Sequence, residues 1–319
     1  MILELSIKLM GVLMVAFTIL PLVRTNAWWI RVLDFPRLQI FLASIITLVA
    51  FFILMKNTID SYSLLLALGL CTAYQGARIF PYTPLAGLQV PSGIRAGENS
   101  FTLFFANVLM ENRESDRLKA IIHDIDPDII LVVETDLWWQ ESLKDFENSY
   151  PYTVKQPQDD TYGMHLYSRF ELIDPKIRFL VHDSVPSISG RIKLPAGKLV
   201  KFHCLHPPPP FPTESESSEE RDTELSIIAR EIDDKPVIVL GDLNDVAWSR
   251  TNNEFQQSSG LKDPRVGRGF YNTFHAKIPI LRFPLDHFFV SHHFSIRNFR
   301  RLPPFGSDHF PVCIDLDIQ

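Results

Sequence analysis

Cysteine is scarce in this chain. Its three cysteines, Cys71, Cys204 and Cys313, are scattered, too few and too far apart for a disulfide framework or a thiolate metal site. They read as ordinary buried thiols and leave the redox compartment open. A surplus of positive charge is also lacking: 31 Lys and Arg face 37 Asp and Glu, a net charge of −6. Long nucleic acids are captured non-specifically through Lys and Arg, so this balance argues mildly against that role while leaving room for a local basic groove. No internal repeat is visible. The sharpest deficit is local. The first 90 residues of the 319 hold only six basic and three acidic side chains, so they carry +3 and the remainder −9.

Hydrocarbon fills that charge-poor region. Three apolar stretches, residues 5–23, 38–55 and 61–77, approach the ~20 residues that a spanning helix needs. The first holds only Lys8 as a charge, the second holds none, and the third is shorter and weaker. A buried hairpin in a soluble protein is the competing reading. A cleaved signal peptide would explain the first stretch only. The connector at 26–37 carries Trp28, Trp29, Arg31 and Arg37, which fits an interfacial segment with tryptophan at the headgroups and arginine snorkelling to phosphates. Three spans put this connector and the C-terminal part on one side. Counting Arg24, Arg31 and Arg37 against Lys56 places that side in the cytoplasm; Lys8 and the N-terminal amine argue for the opposite, so the side stays open. The chain divides into a transmembrane helical region (1–80), a linker (81–99) punctuated by Pro81, Pro84, Gly87, Pro91, Gly93 and Gly97, and a domain over 100–319. No chemistry-bearing candidate lies in residues 1–90, so removing them is expected to leave a soluble, active fragment.

The domain alternates strand-like and helix-like segments. Apolar runs at 101–105, 129–133, 199–203, 237–240, 287–290 and 312–316 read as buried strands, and helices are expected near 114–125, 136–146 and 219–233. The fold class is α/β, a sandwich with sheets inside and helices outside. A short acidic, serine-rich stretch at 213–220 reads as a solvated loop. Each polar candidate is expected just past the C-terminal end of an apolar run, where loops on a rigid scaffold bring distant residues together.

Five clusters carry the candidates. Asn107 follows the first strand and alone would read as a turn asparagine. Glu134 closes five apolar residues, a costly place for a carboxylate unless something pairs it; a hard divalent cation would. His206 closes another strand ahead of a proline run, whereas the neighbouring His203 reads as a satisfied sheet histidine. In Gly241-Asp242-Leu243-Asn244, the glycine permits close approach of a ligand to the backbone, and alternation along an extended segment lets Asp242 and Asn244 share one site. Asp286 precedes a hydrophobic strand, and Ser307-Asp308-His309 precedes the last one; Asp286 could orient His309 as a general base.

Together and in this order, these residues resemble the endonuclease/exonuclease/phosphatase superfamily, the deoxyribonuclease-I-like fold, over residues 100–319. The resemblance implies a four-layer α/β sandwich of two packed mixed sheets flanked by helices, here preceded by about three transmembrane helices. It implies Mg²⁺-assisted cleavage of phosphoester bonds, with Mn²⁺ as the alternative ion. Asn107, Glu134 and Asp308 would hold the metal. His206, Asp242, Asn244, Asp286 and His309 would be catalytic. The superfamily often pairs its mid-chain histidine with an acid, and the sequence offers no evident partner for His206. The helical extension resembles bacterial inner-membrane members. A nucleic-acid phosphodiester is the first substrate expected, a lipid phosphoester the second, and a silent membrane scaffold is the non-enzymatic alternative. Beyond the bilayer, no protein partner is inferable.

Overall fold

Strand side chains alternate between two faces, and that alternation builds the layers. The computed structural model describes residues 2–54, 59–93, 97–209 and 217–318. Lys56, Pro210 and residues 213–216 of the acidic stretch lie outside the described residues. In β1 (Ser100–Asn107), Phe101, Leu103 and Phe105 face the central core while Phe104 and Ala106 face the other way. In β2 (Ile129–Val133), Ile129, Leu131 and Val133 face the centre and Ile130 and Val132 the outside. The outward residues are covered by α5 (Ser115–Ile125) and α6 (Leu137–Ser142), through Leu118, Ile122 and Trp139.

These strands belong to a six-stranded sheet completed by β3 (Tyr152–Gln156), β4 (Met164–Ser168), β10 (Phe294–Arg301) and β11 (Val312–Ile318), in the order β10-β11-β1-β2-β4-β3. The second sheet holds β5 (Glu171–Phe179), β6 (Pro186–Lys193), β7 (Leu199–Leu205), β8 (Val237–Asp242) and β9 (Asp286–Val290), in sequence order. Both sheets are mixed: β1 and β2 are parallel, as are β7 and β8, and the other pairs are antiparallel. On β8, Ile238 and Leu240 face the centre; Val237 and Val239 face α7 (Glu219–Glu231) and α8 (Arg250–Ser259), which supply Leu225, Ile228 and Phe255. The layers are therefore helix, sheet, sheet, helix, and the central strands read as continuous apolar runs because both their faces are buried.

The N-terminal part is helical: α1 (Ile2–Ile19), α2 (Trp28–Arg31), α3 (Arg37–Leu54) and α4 (Ile59–Ile79). Residues Ile2–Leu22, Arg37–Leu54 and Ser61–Tyr82 are each long and apolar enough to cross a membrane. They pack around Met14, Ile40 and Leu68, and Leu5, Ile46, Phe52 and Leu66 point outward. Near the domain, the Gln75 side chain donates to the Thr18 hydroxyl at 3.0 Å and accepts from Arg37 at 3.0 Å, the kind of polar contact that joins helices in an apolar medium.

The connector departs from its expected form. Arg31 and Arg37 do not reach outward for phosphates; both are buried. Arg37 pairs with Asp34, and Arg31 donates to Thr251 at 2.7 Å and lies 3.5 Å from Asp245. Those two charges are neutralised inside the protein, which weakens a count of basic residues as a guide to orientation. Residues 78–93 are equally engaged. Val90 is buried in the central core, Tyr82 Oη donates to the Ala247 carbonyl at 2.7 Å, and Gly93 N–H and Ile296 N–H complete a bridge to the β10 edge. Ile79, Tyr82, Val246, Ala247, Trp248, Phe283 and Leu285 form one apolar seam between the helical part and the domain, with Phe35, Leu38 and Phe41 packed on it.

Candidate active site

Strand direction gathers the candidate residues. Asn107 ends β1, Glu134 follows β2, His206 follows β7 and Asp242 ends β8. Asp286, Asp308 and His309 depart from the general placement past strand C-termini but stand where their own motifs put them, at or before the N-terminal ends of β9 and β11. Those strands run antiparallel to β8 and β1, so their beginnings meet the others' ends.

Asn107 is the hinge of the network. Its Oδ1 accepts the Leu109 N–H at 2.9 Å, and this turns the amide nitrogen toward two carboxylates. That nitrogen donates to Glu134 Oε1 at 2.7 Å and to Asp242 Oδ2 at 3.1 Å, linking the two sheets. The Ser307 hydroxyl donates to the Asn107 carbonyl at 2.8 Å and accepts the His309 N–H at 3.0 Å, so Ser307 locks Asp308 and His309 to the end of β1. Its role was legible only as part of the Ser-Asp-His string.

His309 lies between two acids. Nδ1 is 3.1 Å from each Asp286 oxygen and Nε2 is 3.5 Å from Asp242 Oδ2. Burial alone would lower its pKa, but Asp286 and Asp242 outweigh burial and raise it to about 10. Burial pushes Asp242 up, against the pull of His309. Asp242, Asp286 and His309 are close enough to hold an ion, with ligand atoms within 4.8 Å of one another, yet both ring nitrogens already face carboxylates.

Among the described residues, neither Glu134 nor Asp308 has a cationic hydrogen-bond partner. Burial pushes Glu134 up to about 7 against the Asn107 amide and His309, and repulsion from Asp242 and Asp308 adds to the shift. Both Glu134 and Asn244 hold left-handed backbone, at φ 62° and 50°, a conformation that costs a non-glycine residue energy and clusters at functional sites.

Two expectations for the Gly241 motif need correction. A Cβ at Gly241 would lie 1.8 Å from the Leu205 carbonyl oxygen; the glycine serves the close approach of β7, not of a ligand. Asn244 reaches the site by a turn, not by strand alternation. Its N–H donates to Asp242 Oδ1 at 2.9 Å, and its side-chain amide donates to the Pro207 carbonyl at 3.0 Å, holding the loop that bears His206. His206 is buried, with its ring centroid 5.5 Å from that of Tyr162. Its Nδ1 finds no hydrogen-bond partner among the described residues, and burial lowers its pKa to about 4, leaving it neutral.

Asp245, the residue after the motif, was not singled out by sequence reasoning. It is buried between Arg221 at 3.0 Å and Arg31 at 3.5 Å, and this ties the motif to the connector between α1 and α3. His203 is buried as expected, but neither ring nitrogen has a partner among the described residues.

The model of the Endonuclease/Exonuclease/phosphatase family matches residues 105–309 of this sequence, from β1 to the terminal Asp-His pair. No curated protein matches at significant similarity. Among solved structures, the chain is similar to the human Nocturnin catalytic domain with bound sulfate anion (17% identity, 71% of this chain and 97% of that one, TM-score 0.58). It is also similar to D. rerio TDP2 complexed with single strand DNA product (15%, 68% and 99%, TM-score 0.56). A third is the Bacteroides thetaiotaomicron mannosyl-6-phosphatase (18%, 68% and 99%, TM-score 0.53). At these identities the likeness shows the fold.

Proposed function

The chain belongs to the Endonuclease/Exonuclease/phosphatase family, and from that premise we propose that it is a membrane-anchored, divalent-metal-dependent hydrolase of phosphodiester bonds. One observation carries the reading. Asn107, Glu134, Asp242, Asp286 and His309 come from separate strand ends in two sheets and meet in one connected polar network. Stability alone does not favour burying so many acids around one imidazole.

The donor set fits a hard ion. Carboxylate oxygens are what Mg²⁺ or Mn²⁺ takes. Glu134 would hold the ion with Asp308 beside it, and Asn107 would orient Glu134. When bound, such an ion withdraws charge from a phosphoryl oxygen and stabilises the leaving oxygen. Asp242, His309 and Asp286 then act as a proton relay: with His309 held as the imidazolium, Asp242 takes the proton of the attacking water, while Asp286 fixes the ring through Nδ1. Asn244 keeps Asp242 and the His206 loop in place. His206, neutral and facing Asp242, donates a hydrogen bond to the phosphate.

Nucleic acid is the substrate for which a structural neighbour speaks, since D. rerio TDP2 was solved with a single strand DNA product. A second reading, a lipid phosphoester, rests on a hairpin beside His309 and is taken up below. The class of reaction is tested by incubating the full-length protein in detergent micelles with bis(4-nitrophenyl) phosphate, with added Mg²⁺ and after chelation. Turnover that requires the ion is expected. Undiminished turnover after chelation rejects the metal; no turnover in either condition rejects the hydrolase.

A further inference from the structure

Residues 273–283 form a short hairpin that the catalytic reading does not use. Its stem is laid on the site. Thr273 and Phe274 N–H groups donate to the Phe283 carbonyl at 3.0 Å each, and His275 N–H donates to Leu281 at 2.9 Å. Phe310 N–H donates to the Thr273 carbonyl at 2.9 Å and Ala276 N–H to the Asp308 carbonyl at 2.6 Å. The Phe274 ring centroid is 5.1 Å from that of His309. The Thr273 hydroxyl accepts the Asp286 N–H at 3.2 Å. The hairpin therefore grows directly out of the wall that holds Asp286, Asp308 and His309.

Its tip is apolar and uncovered. Ile278, Ile280 and Leu281 are 40%, 72% and 45% exposed, an arrangement with no use in water. Basic side chains flank it. Arg282 and Arg301 both stand over the Phe310 ring, at 5.0 and 4.4 Å. Among the described residues, neither they nor Lys277 has a carboxylate partner.

The tip's position is fixed by a second, independent contact. The Gln39 side chain, in the first turn of α3, donates to the Ile280 carbonyl at 2.8 Å. At the stem, the Phe283 ring lies 5.7 Å from Phe35, and Leu38 and Phe41 pack on the same seam. The tip thus lies at the level where an apolar helix long enough to span a membrane begins. An apolar tip with cations behind it is the composition of an interfacial anchor on an anionic surface.

We propose that this hairpin seats its tip in the headgroup–acyl boundary of the bilayer holding α1, α3 and α4, and that the site beside it hydrolyses a phosphodiester of a lipid headgroup in that leaflet. The substrate assignment rests on the hydrolase reading above. Water adds to phosphorus, the P–O bond to the leaving alcohol breaks, and the water's proton passes through the His309 relay to the leaving oxygen, giving a phosphomonoester and an alcohol. Arg282 and Arg301 face the headgroup's negative charge, and the tip holds the wall at headgroup depth.

The test uses full-length protein reconstituted in vesicles of phosphatidylcholine, phosphatidylethanolamine and phosphatidylglycerol with Mg²⁺. Lipid cleavage is followed by chromatography, beside bis(4-nitrophenyl) phosphate and a single-stranded oligonucleotide. Wild type should cleave lipid and the aryl diester. Ile280→Asp should slow lipid cleavage about tenfold or more, because a charge at the tip opposes insertion, and leave the aryl diester within about twofold. Cleavage of the oligonucleotide without lipid cleavage overturns this inference and leaves the hydrolase reading standing. Failure on every substrate removes the hydrolase reading itself. Equal loss on lipid and aryl diester, or no loss on lipid, overturns the role of the hairpin. A separate arm needs no turnover: Ile280→Cys carrying a nitrobenzoxadiazole label should emit as in an apolar medium, and water-like emission overturns the seating.

Discussion

His309 touches Asp286 through one ring nitrogen and faces Asp242 with the other, so its value to the reaction depends on both. His309→Ala should remove nearly all turnover. Asp286→Asn should cost less, since the ring remains but loses its orientation and charge support. The double variant should be hardly worse than His309→Ala, because groups acting as a unit are strongly non-additive; losses that simply add would place Asp286 in another role. A different histidine governs acid stability. Burial, helped by Lys201, lowers the His203 pKa to about 4, below the ~6.5 of an unfolded histidine. Its folded form resists protonation, so stability is full above about 6.5 and falls as pH drops toward 4. His165, lowered to about 3 chiefly by burial, acts in the same sense. Denaturant midpoints between pH 7 and 4 should fall for wild type, and His203→Val should recover about 1–3 kcal/mol at the acid end. A pH dependence unchanged in His203→Val would show that this residue is not the cause.

Elements buried on both faces announced themselves; others did not. β2 and β8 read as strands because Ile129–Val133 and Val237–Leu240 are continuous apolar runs. The acids at their ends stood out against that background. β5 escaped notice because it is an edge strand whose pairing shifts between Ile173 and Lys176, around Pro175, with mostly exposed residues. α8 is mostly polar and buries only Thr251, Asn252 and Phe255, so it presents no apolar stripe; Ser249 as N-cap and Gly260 at the C-cap were the available signals. The Asp245 contact with Arg31 joins residues 214 positions apart, beyond the reach of any local pattern. It also makes an element-scale prediction. Asp245→Asn removes the charge between two buried arginines, Arg31 and Arg221, and should destabilise the loop joining β8 to α8 by about 3 kcal/mol. Thermal unfolding of the full chain checks this, and a midpoint equal to wild type would mean that Asp34 and Asp222 suffice as counter-charges.

For the whole molecule, the helical part and the domain share structure that the sequence presented as separable. Removing residues 1–90 takes away Val90 from the central core, Tyr82 and Ile79 from the seam, Arg31 from Asp245, and the Asp34 carbonyl that accepts from Trp248 Nε1 at 2.7 Å. A fragment starting after residue 90 is therefore expected to aggregate or to lack a cooperative unfolding transition, contrary to the soluble fragment that motif positions alone suggest; a soluble, fully active fragment would show the seam to be dispensable. The measurement closest to the central claim is a Mg²⁺ titration of aryl diester hydrolysis by the full-length wild type and Glu134→Gln. Glutamine keeps the size and loses the charge that would attract the ion. The expected result is a loss of about two orders of magnitude or more at low Mg²⁺, with partial recovery at high Mg²⁺. Wild-type rates in Glu134→Gln at low Mg²⁺ would contradict a metal held by this carboxylate.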